Sequence, residues 1–561
     1  MLFRSTSRFD KIAERHPNET GRYVTEKFHT MRADSDRLAG QIGNKAIALI
    51  KDYTPEEVQR VDRYRHAPSI REDAPYQLTP RETQLENAMD RHYRAVGQMH
   101  QDSGMMVRNI DGSFRQMILN PEGYRPSMLS NEVAYTWAEN VQPKAREYDR
   151  LFLEHAMRHG HTEESARNLL QDYKQAIGHA GATPDVQFGA LRKVQGMGLP
   201  WELVDQNYTS MAQRYGRRAA ADLSYFKYVQ NDPKMLAALG LRNQEGKLLR
   251  ELSPEVQRQA ANTEYIGGSE EVKQALRSVQ GIDLPANPRL MSAARAVGSM
   301  VMQTGTAIRN LIQIPTSIAP YYGSDFVTAM KAIGKMNERA GRAFENNAIR
   351  ASFKDFDAAG DFSGNPIRFI RYADNVATFL RKYSGRELSD KLEGLFNYSM
   401  GEELATKWFA QAKNRDIKAR RMLKRFGNML ERPVNEYFTP SAEVTADDIA
   451  RVAKSFVDAA RGTYSASGLP SVAIEGNVAP FLALSRWSIE RSNIFWRDVV
   501  RPMKDHGDFM PFLKTAFAAL LSGAAIEQLN EALGGKRSVD PTIKEALANG
   551  SKETLIADRK S

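Results

Sequence analysis

The chain has no cysteine in 561 residues. That one absence excludes disulfides, thiolate zinc sites, iron–sulfur clusters and thiol nucleophiles together. Two catalytic signatures are missing as well: a Gly-x-Ser-x-Gly nucleophile elbow and a Gly-x-x-x-x-Gly-Lys phosphate loop. Histidine is scarce, 10 residues scattered away from any nucleophile, so acid–base catalysis has no support in the sequence. The N-terminal stretch 1–10 lacks an apolar core of signal-peptide length, which sets the expectation that the chain is made and folded in a cytoplasm. Strand-like alternation is rare, and no repeat of fixed period emerges.

What is present is helix-forming and basic. Hydrophobic residues make up 42% of the chain, near the ordinary globular range. Lys and Arg outnumber Asp and Glu 78 to 68, for a net charge of +10. Such a balance favours an acidic partner, either nucleic acid or an anionic membrane surface. Val24, Phe28, Met31, Leu38, Ile42 and Leu49 follow a three/four spacing, with Ser35 in the gap, and predict one long amphipathic helix. Thr54-Pro55-Glu56-Glu57 and Thr79-Pro80-Arg81-Glu82 read as two helix starts: Thr caps, Pro occupies the first turn and Glu reaches back. Leu85, Met89, Tyr93 and Val96 form the core face of the second. A further helix is expected from about Val204 to Phe226.

One hairpin is expected, with Asp111-Gly112 as a two-residue turn between short alternating runs. The predicted fold is therefore all-α, in extended multi-helix bundles, with one small β-hairpin near 105–118. Gly- and Pro-rich breaks suggest four regions. These are an N-terminal helical region with the hairpin (1–180), a central helical region (181–285), a helical region with a low-charge segment and a basic helix (286–465), and C-terminal apolar helices with a polar tail (466–561).

Metal readings fail at named positions. His155 and His159 have the i, i+4 spacing of a zinc pair, but Ala156 stands where a zinc protease needs Glu, and Gly160 with Thr162 reads as one helix ending and another starting. Asp355-Phe356-Asp357 opens like a calcium loop, yet its twelfth position is Pro366. Neither metal nor cofactor is expected. The carboxylate pairs Glu163-Glu164 and Glu402-Glu403 read as first-turn acids or solvated faces. No catalytic residue is assigned, and the chain is expected not to be an enzyme. A hydrolase with hidden carboxylates is kept as a third class of reading, tested on peptidoglycan.

The strongest charge feature is Lys413, Arg415, Lys418, Arg420, Arg421, Lys424 and Arg425, against an apolar stripe of Ala412, Ala419, Leu423, Phe426 and Leu430. This face suits phosphates of nucleic acid or lipid, or the acids of a neighbouring subunit. In 480–502, Phe481, Leu484, Trp487, Ile494, Phe495 and Val499 cover so much of a helix that it needs a partner surface. Two stretches are nearly uncharged. The stretch 296–324 carries only Arg309 but is interrupted by Pro315 and Pro320; 515–526, with Phe517, Leu520 and Leu521, has the length of a buried helix. Phe481, Leu484, Trp487, Ile494, Phe495, Phe517, Leu520 and Leu521 are the expected oligomer or membrane contacts.

The block Gly305-Thr306-Ala307-Ile308-Arg309-Asn310-Leu311-Ile312-Gln313, the later Pro480-Phe481-Leu482 and Arg486-Trp487-Ser488-Ile489-Glu490, and the short apolar helix near the end carry a resemblance. Over about 200–545 the chain resembles internal-core or ejection proteins of tailed bacteriophages, and the related large polyvalent-protein modules. The resemblance implies a location in the virion interior near the portal, then host periplasm and inner membrane. It implies a homo-oligomer, with a ring as the expected form, and partners among other internal virion proteins, the portal, double-stranded DNA and the host envelope membrane. The implied role is a structural part of a conduit for genome delivery. The alternative is a cytoplasmic nucleic-acid-binding scaffold without a membrane role.

Overall fold

The computed structural model describes residues 8–66, 78–108, 114–116, 126, 129–138, 140, 142–179, 199–243, 247–279, 326–349, 386–461, 499–500, 503–504, 509–511 and 513. The described residues are predominantly helical and fall into two compact units, one ending at 279 and one beginning at 326.

In the first unit, α1 (Arg8–Arg15) precedes α2 (Glu19–Ala39), whose Asn18 cap accepts a hydrogen bond from the Gly21 amide at 2.8 Å. A π-helical segment, Gly40–Asn44, carries α2 directly into α3 (Lys45–Leu49). The predicted apolar stripe is real but serves two cores. Val24, Phe28 and Met31 pack with Phe9, Ile12, Val229 and Met235, whereas Leu38 and Ile42 join Val61, Leu85, Met89 and Tyr93. The hand-over falls between Met31 and Leu38, within α2 and before the π segment, because different elements pack against successive turns of the same helix.

Both Thr-Pro starts are capping boxes. At α4 (Pro55–His66), the Thr54 amide donates to Glu57 at 2.8 Å and the Glu57 amide to the Thr54 hydroxyl at 3.3 Å; at α5 (Pro80–Asp102), Thr79 and Glu82 repeat both distances. Leu85, Met89, Tyr93 and Val96 are all buried.

The hairpin forms, between β1 (Met106–Arg108) and β2 (Phe114–Gln116). Its register sets Arg108 opposite Phe114. A two-residue turn at Asp111-Gly112 requires Arg108 opposite Arg115, so the pairing is one residue out of step with the expected turn, which itself lies outside the described residues.

Helices α6 (Asn131–Ala138), α7 (Lys144–Arg158) and α8 (Glu163–His179) surround a third core built on Val133, Trp137, Phe152 and Leu170. The next helix, α9 (Tyr208–Tyr225), starts later than expected. Val204 is extended and bridges Leu129, because Asp205 and Asn207 define the start: Asp205 accepts from the Asn207 amide at 3.0 Å, and Asn207 accepts from the Ser210 amide at 3.1 Å. Helix α9 meets the π-helical segment at Gly216, where an added Cβ would lie 2.6 Å from the Gly43 nitrogen. Helices α10 (Pro233–Leu239), α11 (Pro254–Gln259) and α12 (Glu270–Val279) complete this unit.

The second unit contains α13 (Phe326–Gly334), α14 (Met336–Glu345), the long α15 (Arg386–Lys413), α16 (Ile417–Phe426) and α17 (Ala446–Arg461). Its main core joins Met400, Leu404, Trp408 and Phe409 of α15 to Leu423 and Phe426 of α16 and to Val452 and Phe456 of α17. At Gly401 a Cβ would come within 2.9 Å of the Ala453 Cα, so α15 and α17 cross in backbone contact. The low-charge stretches 296–324 and 515–526 and the calcium-like 355–366 lie outside the described residues. Most of the apolar segment 480–502 lies outside them too, including Phe481, Leu484, Trp487, Ile494 and Phe495, as do Phe517, Leu520 and Leu521.

Candidate functional site

The basic run does not lie on one helix. Helix α15 ends at Lys413, Arg415 adopts a left-handed backbone with φ of 64°, and Asp416 starts α16 by accepting from the Ala419 amide at 2.7 Å. Ala412 therefore belongs to the helix before the turn and Leu430 to the chain after α16, while Ala419, Leu423 and Phe426 form the buried face between them. That face is anchored by aromatics. Trp408 stacks on Phe426 with centroids 5.4 Å apart and planes 6° apart, and Phe456 meets the same ring at 5.8 Å.

The seven cations divide by surroundings. Lys413 donates its ammonium to the Ala442 carbonyl at 2.5 Å. Arg420 donates to the Ala412 carbonyl at 3.0 Å and lies over the Phe438 ring at 5.0 Å. Arg420 thus holds the α15–α16 corner together, while Lys413 ties the end of α15 to the segment that leads into α17. Arg415, Lys418, Arg421, Lys424 and Arg425 are exposed, and Arg425 rests against the Phe426 ring. Lys418, Arg421 and Lys424 form no ion pair among the described residues. Asp416 is the one acid between 413 and 430, and its carboxylate is occupied as the cap. The result is an exposed cationic face backed by a stacked aromatic core. It can hold phosphate oxygens at its surface.

One residue of this face escaped the sequence reading. Ile417 is off the apolar stripe and 75% exposed. At 100° per residue it falls between Lys424 and Arg421, so its place among the cations was legible from spacing alone.

The Glu402-Glu403 pair needs correction. It lies inside α15 rather than on a solvated face. Glu402 receives Arg342 as a fork, at 2.9 and 2.8 Å, and Arg339 at 2.8 Å. Glu403 pairs with Lys335 at 3.0 Å and also with Arg339. Arg339 further donates to the Ser399 carbonyl and hydroxyl, both at 2.9 Å. Burial by itself raises the Glu403 carboxyl, but hydrogen bonds from Arg339 and Lys335 outweigh it and hold the group below the usual carboxylate range. Burial first, and the Glu402 charge second, push the nearby Tyr398 hydroxyl far up. These partners stand some 60 residues before the pair, a separation no local pattern reveals. Glu163 and Glu164 do occupy an exposed first turn, with Glu163 paired to Arg167 at 2.6 Å.

His155 and His159 lie with ring centroids 4.5 Å apart where α7 closes, and His161 bonds the Ser165 hydroxyl at 3.1 Å. Among the described residues, no group of three or more His, Asp or Glu is placed to hold a metal ion. Among the same residues, no helix is long and apolar enough to cross a membrane. No protein-family model, curated protein or solved structure matches this chain.

Proposed function

We propose that this chain is a structural internal virion protein of a tailed bacteriophage, which assembles with copies of itself and helps form the conduit for genome delivery through the host envelope. The observation that supports it is the face of α16, where Lys418, Arg421 and Lys424 stand exposed over a buried aromatic core and form no ion pair among the described residues. The sequence supports it at three further points: the segment order it shares in style with ejection proteins, the absence of cysteine in a chain that crosses redox compartments, and the apolar segments near 480–533. In this reading Lys418, Arg421, Lys424 and Arg425 address phosphates, and the apolar segments meet neighbouring copies. Light scattering and electron-microscope class averages of the purified full chain test assembly, with a closed ring as the expected result. A chain that stays monomeric and releases no dye from anionic liposomes overturns the proposal.

The same cations also favour a second reading, a nucleic-acid scaffold without a membrane role. Duplex binding that falls steeply with salt, in a chain that ignores liposomes, selects that reading.

A further inference from the structure

The cationic face of α16 carries an exposed apolar residue, Ile417, at the N-terminal end of the helix, and this decides between the two sources of phosphate. On a helical wheel Lys424, Ile417, Arg421, Arg425 and Lys418 share an arc of about 120° opposite the buried Ala419, Leu423 and Phe426. Ile417 is 75% exposed inside that arc. Against a DNA backbone, an isoleucine there would meet charged phosphate and sugar and would gain nothing polar for the water it displaced. At a bilayer surface the same side chain enters the boundary between headgroups and acyl chains, while the long Lys and Arg stems reach back to the phosphates. The aromatic stack under Phe426 fixes the orientation, so all five side chains arrive together.

We infer that α16 docks on an anionic lipid bilayer, with Ile417 inserted and Lys418, Arg421, Lys424 and Arg425 at headgroup level. The inference rests on the phosphate-binding role proposed above for this helix and commits it to lipid.

The absence of cysteine provides the test. I417C places a unique thiol at an exposed position, and an environment-sensitive dye on it reports its surroundings in the full chain. With vesicles of phosphatidylcholine and phosphatidylglycerol, the emission is expected to shift to the blue; with phosphatidylcholine alone or duplex DNA it is not. I417S is expected to weaken binding to the anionic vesicles roughly tenfold. The R421Q/K424Q pair is expected to weaken it roughly thirtyfold, since each cation near an anionic surface contributes about fivefold. A chain that binds vesicles while the dye at 417 stays silent overturns the inference and leaves the assembly proposal standing. Duplex binding that depends on Arg421 and Lys424, with no vesicle binding, overturns it in favour of nucleic acid. If neither vesicle nor duplex binding depends on these cations, the inference and the phosphate-binding role fall together.

Discussion

Single residues in this chain carry charge into places where charge is expensive. Arg339 and Glu402 are each more than nine-tenths buried and face each other at 2.8 Å, each with further charged or polar partners. Removing one partner strands the other. Glu402→Gln is expected to destabilise the second unit by about 3 kcal/mol, read from urea denaturation of the full chain. Glu403 contributes differently. Its carboxyl is depressed in the folded state, so its stabilisation is complete above the ordinary value of 4.5 and fades as pH falls below that. His92 works over a higher range. Burial, opposed by its bond to the Ile42 carbonyl at 2.9 Å, lowers its pKa from 6.5 to about 4. The unfolded chain therefore binds a proton between those values that the folded chain refuses. Stability of the first unit should fall by about 3 kcal/mol as pH drops from 6.5 to about 4, and His92→Gln should flatten that slope in denaturation series across the window.

At the scale of elements, close backbone approach sets how α9 packs on the π-helical segment in the first unit. The π-helical segment Gly40–Asn44 and α9 meet at Gly43 and Gly216, and a Cβ at Gly216 would lie 2.6 Å from one backbone atom of Gly43 and 2.7 Å from another. No flexible side chain is there to move aside. Gly216→Val should therefore push the two helices apart and cost about 2 kcal/mol or more, visible as a lower thermal midpoint and reduced protection of the α2 and α9 amides. Much of the element level was legible in advance. The two Thr-Pro-x-Glu starts became capping boxes because all their partners lie within one turn. The long basic helix did not survive, because Arg415 and Asp416 turn the chain between α15 and α16. A cationic run with a continuous apolar stripe looks the same whether or not a corner interrupts it.

For the molecule as a whole, the net charge of +10 matters less than which cations remain exposed. Arg65, Arg214 and Arg339 are spent inside, whereas Lys418, Arg421 and Lys424 face solvent. Attraction of the exposed set to an anionic surface is screened over about 10 Å at 0.1 M salt. Vesicle sedimentation should therefore show binding that weakens as salt rises but keeps a salt-resistant remainder, and I417S should remove that remainder.

Helical character, both capping boxes, the core face of α5 and the cationic patch were determined by the sequence itself, since each depends on residues within one or two turns of one another. Tertiary structure alone decided that the stripe on α2 serves two cores, that Glu402 and Glu403 are buried partners of Arg339, Arg342 and Lys335, and that Lys413 reaches Ala442 while Arg420 braces the α15–α16 corner. The physical reason is the same each time. A side chain's burial and its charge partners depend on which distant segment packs against it, and a pair some 60 residues apart leaves no periodic trace in the chain.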